Sequence, residues 1–332
     1  MAGDGPILEP TRLTSFGAYE LSFGVPVGWM AESVRGFFEN GGTALWAVRA
    51  AGPTRDELTA AVDALEGVDE IALAACPDAL ALGHDDAAAV ATHLAARCED
   101  WRALAVVDLP DLESAEALAQ WRVAHLESDH AAPVAPFVRT ADAPEGLPPS
   151  GLAMGALALR DRQRGVPGSW IPDGPLVGVS GLARQFGVEE AALLNGHGVN
   201  VIRSFPGAGI VVWGGRTATD DPDEKYVAVR RLLLFLEASI EQGLQWAAFE
   251  PNADLTWGEV RLAVEEFLNG VWSDGGLVGA TPDEAYFVRA GLGDTMTQAE
   301  IDAGLLNVLV GVAPIRPSEF VTFTVQVSDV TP

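Results

Sequence analysis

Cysteine, lysine and long apolar runs are what this sequence of 332 residues has least of. Its two cysteines are Cys76, which ends the apolar run IALAAC, and Cys98, inside an alanine-rich segment. Free buried thiols are the expectation, not a disulfide framework or a metal pair. The five histidines (His84, His93, His125, His130 and His197) show no H-x-x-x-H spacing, so zinc is unsupported. No uncharged apolar run reaches the roughly 18 residues of a membrane span. The opening MAGDGPILEP has no basic segment followed by an apolar one, so it does not read as a signal peptide.

Positive charge is also scarce. Twenty basic residues stand against 47 acidic ones, a formal net charge of −27, and Lys225 is the one lysine. Such a surface repels nucleic acid and anionic membrane, which excludes both as direct partners. Two explanations of the bias stay open: a GC-rich genome, and a high-salt cytoplasm in which excess carboxylate keeps proteins soluble.

What is present is a hydrophobic content of 48%, enough for packed cores, in a chain longer than one core usually serves. From residue 29 to about 140, helical segments alternate with short apolar runs. WMAESVRGFFEN, RDELTAAVDALEG, DDAAAVATHLAARCED (capped by Asp85) and ESAEALAQWRVAHLES read as helices. TALWAVRA, IALAAC, RALAVVDLP and PVAPFVR read as strands. The fold class expected is α/β: an N-terminal parallel sheet with helices on both faces, plus a smaller α+β C-terminal domain with a terminal strand. Residues 140–181 are a Pro/Gly-rich connection holding one helix, GLAMGALALRDR. Later, Asp221-Pro222-Asp223-Glu224 reads as a capped start of a helix to Gly243, with Tyr226, Val229, Leu233, Leu236 and Ile240 on its core face. LQWAAF reads as a short strand, and Thr256-x-x-Glu259 as the box opening a helix that packs Val260, Val264 and Phe267. AYFVRA, LLNVLVGVAPI and EFVTFTVQV read as three more strands. The last alternates strictly and needs a sheet to join.

Two patterns invite a catalytic or ligand reading. In NVIRSFPGAGIVVWGGRTATDD (200–221), Gly207 and Gly209 give G-x-G, but Val212 stands where a third glycine belongs and no Lys-Ser/Thr follows. Asp220 and Asp221 would repel a phosphate there, so a turn and a buried strand are expected. At strand ends, Asp78, Asp108 and His84 are the candidates for an acid/base or metal site; helix caps and turn formers are the plainer reading of the same carboxylates. Around Ser180 the sequence is G-x-S-G, not a nucleophile elbow.

The order of motifs resembles the contractile tail sheath family of contractile phage tails, R-type pyocins and extracellular contractile injection systems. The matching pieces are LTSFGAYELSFG (13–24), VRGFFENGGTALWAVR (34–49), LPPSGLAMGALALRD (147–161), RGVPGSW (164–170), LLNGHGVNVIRSFPGAGIVVWGGRT (193–217), DPDEKYVAVRRLLLFLEASIEQGLQWAAFEPN (221–252) and GVAPIRPSEFVTFTVQ (311–326). The resemblance implies a structural protein, not an enzyme, with no cofactor and no metal. Its partners would be copies of itself in a helical homopolymer, an inner tube protein, and baseplate and tail terminator proteins. Assembly would take place in the cytoplasm. It further implies an outer α/β domain over 1–192 and an inner domain over 193–332. Asn200, Arg203, Gly207, Trp213, Arg216, Arg230, Arg231, Trp246, Glu250, Pro251 and Asn252 would be structural signature positions. Subunits of the family are linked by strand exchange, a role that falls here on Glu319, Phe320, Val321, Phe323, Val325 and Val327. The family pattern opens with an arm like P-G-V-Y-I-E-E and an apolar strand ahead of the segment that here starts at Gly5, so neither is expected in this chain.

Overall fold

The computed structural model describes residues 4–24, 28–166, 174–315 and 321–327. Two compact units divide the chain, the first ending at Arg230 and the second holding the residues from Arg231 onward together with Val166. The boundary at 192/193 that the resemblance implies falls inside the first unit.

The first unit carries β1 (Thr11–Leu13), α1 (Phe16–Phe23), α2 (Gly28–Glu39), β2 (Leu45–Ala47), α3 (Arg55–Asp63), β3 (Leu73–Ala74), α4 (His84–Asp100) and β4 (Leu104–Asp108). It continues with α5 (Ala115–His125), β5 (Ala131–Ala135), β6 (Val138–Thr140), α6 (Ser150–Arg164), β7 (Val179–Leu182), α7 (Val188–Gly196), β8 (Asn200–Phe205) and β9 (Gly209–Trp213). Its main sheet has the order β3-β4-β5-β8-β9, parallel as far as β8, with β9 antiparallel at the end.

The expected cover on both faces is present, and strand periodicity explains it. Ala105 and Val107 of β4 share a core with Val62 of α3 and Leu94 and Cys98 of α4. Ala135 and Val201 meet Leu118 and Trp121 of α5 and Leu194 of α7. The alternate residues Val106, Val134 and Ile202 meet Leu152 and Ala156 of α6. In turn, α6 lies against α2 through two small residues. A Cβ on Gly151 or Gly155 would stand 2.3 Å from the carbonyl oxygen of Ser33 or Phe37. No larger residue lets the two helix backbones come so close.

Several expectations are corrected by tertiary pairing. TALWAVRA does not enter the parallel sheet: β2 pairs antiparallel with β1, Leu13 opposite Leu45. PVAPFVR divides into β5 and β6 at Pro136, and β6 pairs with β7. Asp85 lies in the first turn of α4 without capping it; the position before the helix is Gly83.

Helix α8 (Val227–Gly243) starts later than its Asp-Pro-Asp-Glu sequence suggests. Asp221 closes a separate turn, accepting from the Asp223 N–H with Oδ1 and from the Lys225 N–H with its carbonyl. Tyr226 then bridges to Arg216 before the helix begins. Val229, Leu233, Leu236 and Ile240 are buried as expected.

The second unit adds α9 (Asp254–Ser273), α10 (Pro282–Ala285), β10 (Tyr286–Arg289), α11 (Gln298–Asp302), β11 (Leu306–Val312) and β12 (Val321–Val327). LQWAAF is a 3-10 turn over Gln245–Phe249, not a strand. α9 opens two residues ahead of Thr256, whose hydroxyl donates to the Pro251 carbonyl at 2.6 Å instead of capping. β10, β11 and β12 form an antiparallel sheet in that order.

Candidate functional site

Asn200 is fully buried at the start of β8. Its Nδ2 donates to the Pro133 carbonyl at 3.0 Å and to the Arg216 carbonyl at 2.8 Å, and its Oδ1 accepts from the Arg216 N–H at 2.7 Å. The amide thus takes the place of a strand partner for the segment leaving β9. Gly214, at φ 138, makes that approach possible; a Cβ there would lie 2.6 Å from Asn195 Nδ2. Gly207, at φ 79, turns β8 into β9. These signature positions need their residue types for backbone geometry, and no phosphate cradle results.

The hairpin also presents a stack. The Arg203 guanidinium lies 4.9 Å from the Phe205 ring centre, and the Phe205 and Trp213 rings are 5.0 Å apart, with Trp213 49% exposed. Arg216 lies over Tyr226 at 5.4 Å.

Arg230 is the centre of a polar cluster that its sequence position alone does not announce. Its guanidinium pairs with Asp129 at 2.6 Å and Glu224 at 3.4 Å, and Nη2 contacts Nε2 of His130. The other ring nitrogen of His130 is 2.9 Å from the Ala103 carbonyl. Burial, then the Arg230 charge, lowers the His130 pKa. The S-D-H run at 128–130, directly after a helix, was the available sequence signal. In the second unit, Arg231 is buried and Trp246 and Glu250 are exposed. Pro251 and Asn252 brace α9: Asn252 Oδ1 accepts from the Trp257 indole at 2.7 Å and Nδ2 donates to the Leu305 carbonyl at 2.9 Å.

The catalytic candidates do not form a site. Asp78 accepts from the Met30 N–H at 3.1 Å, near the start of α2. Asp108 accepts from the Ser150 N–H at 2.8 Å and from its hydroxyl at 2.5 Å, at the start of α6. Both carboxylates therefore serve helix N-termini that are distant in sequence. His84 stands exposed in the first turn of α4, while Asp108 is buried. Burial raises the Asp108 pKa to about 7, against the pull of the two Ser150 hydrogen bonds. Burial, then the Asp78 charge, pushes the Cys76 thiol up to about 12, and burial does the same to Cys98; both thiols are free and held protonated. No group of three metal-ligating side chains occurs among the described residues. No helix among them is long and apolar enough to cross a membrane.

The proposed linker strand is placed by its backbone. β12 runs antiparallel to β11, from Leu306 opposite Val327 to Val312 opposite Val321, with Phe323 opposite Val310 and Val325 opposite Val308. Glu319 and Phe320 lie outside the described residues.

Two family models match the sequence in tandem: the phage tail sheath protein central domain over residues 51–218 and the phage tail sheath C-terminal domain over residues 219–328. No curated protein matches it. Among solved structures, a chain in the 6-fold symmetrised cryo-EM structure of the anti-feeding prophage baseplate is 35% identical over 95% of this chain and 86% of its own, with a TM-score of 0.78. A chain of the helical sheath of the anti-feeding prophage in the contracted state is 34% identical over 97% and 93%, at 0.78. A chain of the PVC sheath complex, an extracellular contractile injection system in the contracted state, is 31% identical over 95% and 86%, at 0.81. The crystal structure of a sheath tail protein from Listeria innocua shares the fold at 15% identity, with a TM-score of 0.63 over 88% of this chain and 62% of that one.

Proposed function

This chain belongs to the phage tail sheath family, and we propose that it is the repeating subunit of a contractile sheath, polymerising helically around an inner tube and contracting to drive that tube through a target envelope. The observation that carries the reading is the unbroken match from residue 51 to residue 328, with the same fold in helical sheath relatives. A heterologous interface that does not close generates an open helix, and a lattice with two packings of one rigid subunit stores the energy of contraction without a nucleotide. Residues from about 193 onward form the tube-side layer in this reading, and residues before it the outer layer. Baseplate and terminator proteins bound the polymer at its ends, and assembly precedes release, in the cytoplasm.

Linkage between subunits runs through the sheet that contains β12. Because β12 ends the order β10-β11-β12, its outer edge carries no strand among the described residues. An unpaired edge invites a strand from a neighbouring copy, whose backbone bonds supply affinity. Co-production with an inner tube protein and negative-stain microscopy tests the proposal: hollow striated tubes are expected. A second reading, a non-polymerising baseplate or cap protein with the sheath C-terminal fold, is favoured by the baseplate match. Closed rings that never elongate would select it.

A further inference from the structure

His130 is 3% exposed and stands between two partners whose chemistry fixes its proton. Nδ1 is 2.9 Å from the Ala103 carbonyl. A carbonyl can only accept, so Nδ1 carries the hydrogen. Nε2 faces Nη2 of Arg230. A guanidinium can only donate and does not lose its charge in a protein, so Nε2 must offer a lone pair. The ring therefore fits its place in one state alone: neutral, with its hydrogen on Nδ1.

The backbone of His130 is fixed to the sheet. Its carbonyl accepts from the Ala105 N–H of β4 at 2.8 Å, and its N–H donates to Ser128 Oγ at 3.0 Å. Arg230 lies in the first turn of α8, and the boundary between the two units falls directly after it. The contact thus ties the root of α8 to the starts of β4 and β5. Little else fastens the guanidinium inward. Its Nε is buried without a hydrogen-bond partner, and its ion-pair partners Asp129 and Glu224 are partly open to water.

A proton on Nε2 would aim a donor at a donor and set two positive charges in contact. The charged groups about the pair come from each neighbouring element: Arg230 from α8, Glu224 from the turn before it, Asp129 beside the ring, and Glu99 from α4. The carboxylates of Asp129 and Glu99 favour the charged ring, but burial and Arg230 outweigh them and lower its pKa. The neutral ring's contribution to stability is therefore fully present above the ordinary histidine value of 6.5 and is lost as pH falls through the lowered folded value. Asp108 acts in the opposite direction, and on α6 instead of α8.

We propose that His130 is an acid-released pin: neutral, it accepts from Arg230 and holds the first turn of α8 to the sheet, and protonated, it expels Arg230 toward Asp129 and Glu224 and frees that turn. The pin belongs to the single subunit and does not depend on the sheath reading.

Hydrogen exchange on the full chain at about pH 7.5 and about pH 5, either side of the histidine range, tests it once rates are corrected for intrinsic exchange. Acid is expected to speed exchange of the Val227 and Arg230 amides, which now donate to the Gly215 and Tyr226 carbonyls, by ~10-fold or more, as losing a hydrogen bond to a charged group does. His130→Gln puts an amide oxygen where Nε2 stands and does not titrate. Arg230→Gln puts there an amide that can turn to donate to the neutral ring or accept from the charged one. Both variants are expected to lose the acid response. The ring nitrogens of the parent, followed by NMR, give a readout that needs no variant: a protonated Nδ1 and a bare Nε2 at neutral pH, titrating below the other histidines. An acid response at 227–230 retained in either variant overturns the proposal. So does its absence in the parent, or a neutral ring with its hydrogen on Nε2.

Discussion

The side-chain amide of Asn200 is matched to the backbone of Arg216 on both sides, donating to its carbonyl at 2.8 Å and accepting from its N–H at 2.7 Å. One buried side chain thereby substitutes for a stretch of sheet where β9 has ended and the chain must still be held against β8.

Asn200→Ala is expected to cost more than its small volume change implies. It strips partners from the Arg216 N–H and from two carbonyls, and each buried polar group left unsatisfied costs about 1–3 kcal/mol. Urea unfolding of the first unit should show a loss of several kcal/mol, from roughly 2 upward. A variant as stable as the parent would mean water replaces the amide at no cost.

The close approach of α6 to α2 predicts a contrast between two glycines. Gly155→Ala sets a methyl 2.3 Å from the Phe37 carbonyl, whereas open space surrounds Gly196 in α7. Overpacking of this kind costs about 1–3 kcal/mol. Gly196→Ala should be neutral or slightly stabilising. Equal melting temperatures for the two variants would show that the helices can separate freely.

Asp108 carries a pH dependence of known sign. Its pKa rises from an ordinary 3.8 to about 7 in the folded chain, because burial disfavours the charge. The folded state therefore binds this proton more tightly than the unfolded state. The resulting stability is fully present below about 4 and is lost as pH rises through about 7. Melting temperature should fall more steeply over this window in the parent than in Asp108→Asn, since the difference between the two cancels the other carboxylates. Parallel curves would refute the assignment.

Deletion of residues 319–332 removes β12 and uncovers the edge of β11 from Leu306 to Val312. The expected product keeps the unfolding transition of the first unit and forms no tubes. Tubes indistinguishable from those of the full chain would sink the linkage through this sheet.

Tube assembly is expected to improve with moderate salt. Subunits of charge −27 must lie side by side, and repulsion between them is screened over a Debye length of about 10 Å at 0.1 M. Light scattering across a salt series checks it; fastest assembly at the lowest salt would show that Arg-carboxylate contacts between subunits outweigh the net charge.

The sequence by itself determined what depends on local pattern. The apolar runs RALAVVDLP and LLNVLVGVAPI are strands because no other short structure buries both their faces or alternates as they do. The 3–4 spacing of Val229, Leu233, Leu236 and Ile240 settled the core face of α8. The motif order was enough to place the family. Only the tertiary structure decided matters of partner choice. LWA pairs with TRL and not with the parallel sheet, Asp221 closes a turn ahead of α8, and Thr256 bonds to Pro251 within a helix already begun. The strand-end carboxylates show the reason. Asp108 reads alike as a cap or a catalyst until Ser150, 42 residues away, arrives beside it. A hydrogen bond between groups so distant along the chain exists only once the sheet and α6 are packed, so no local pattern records it.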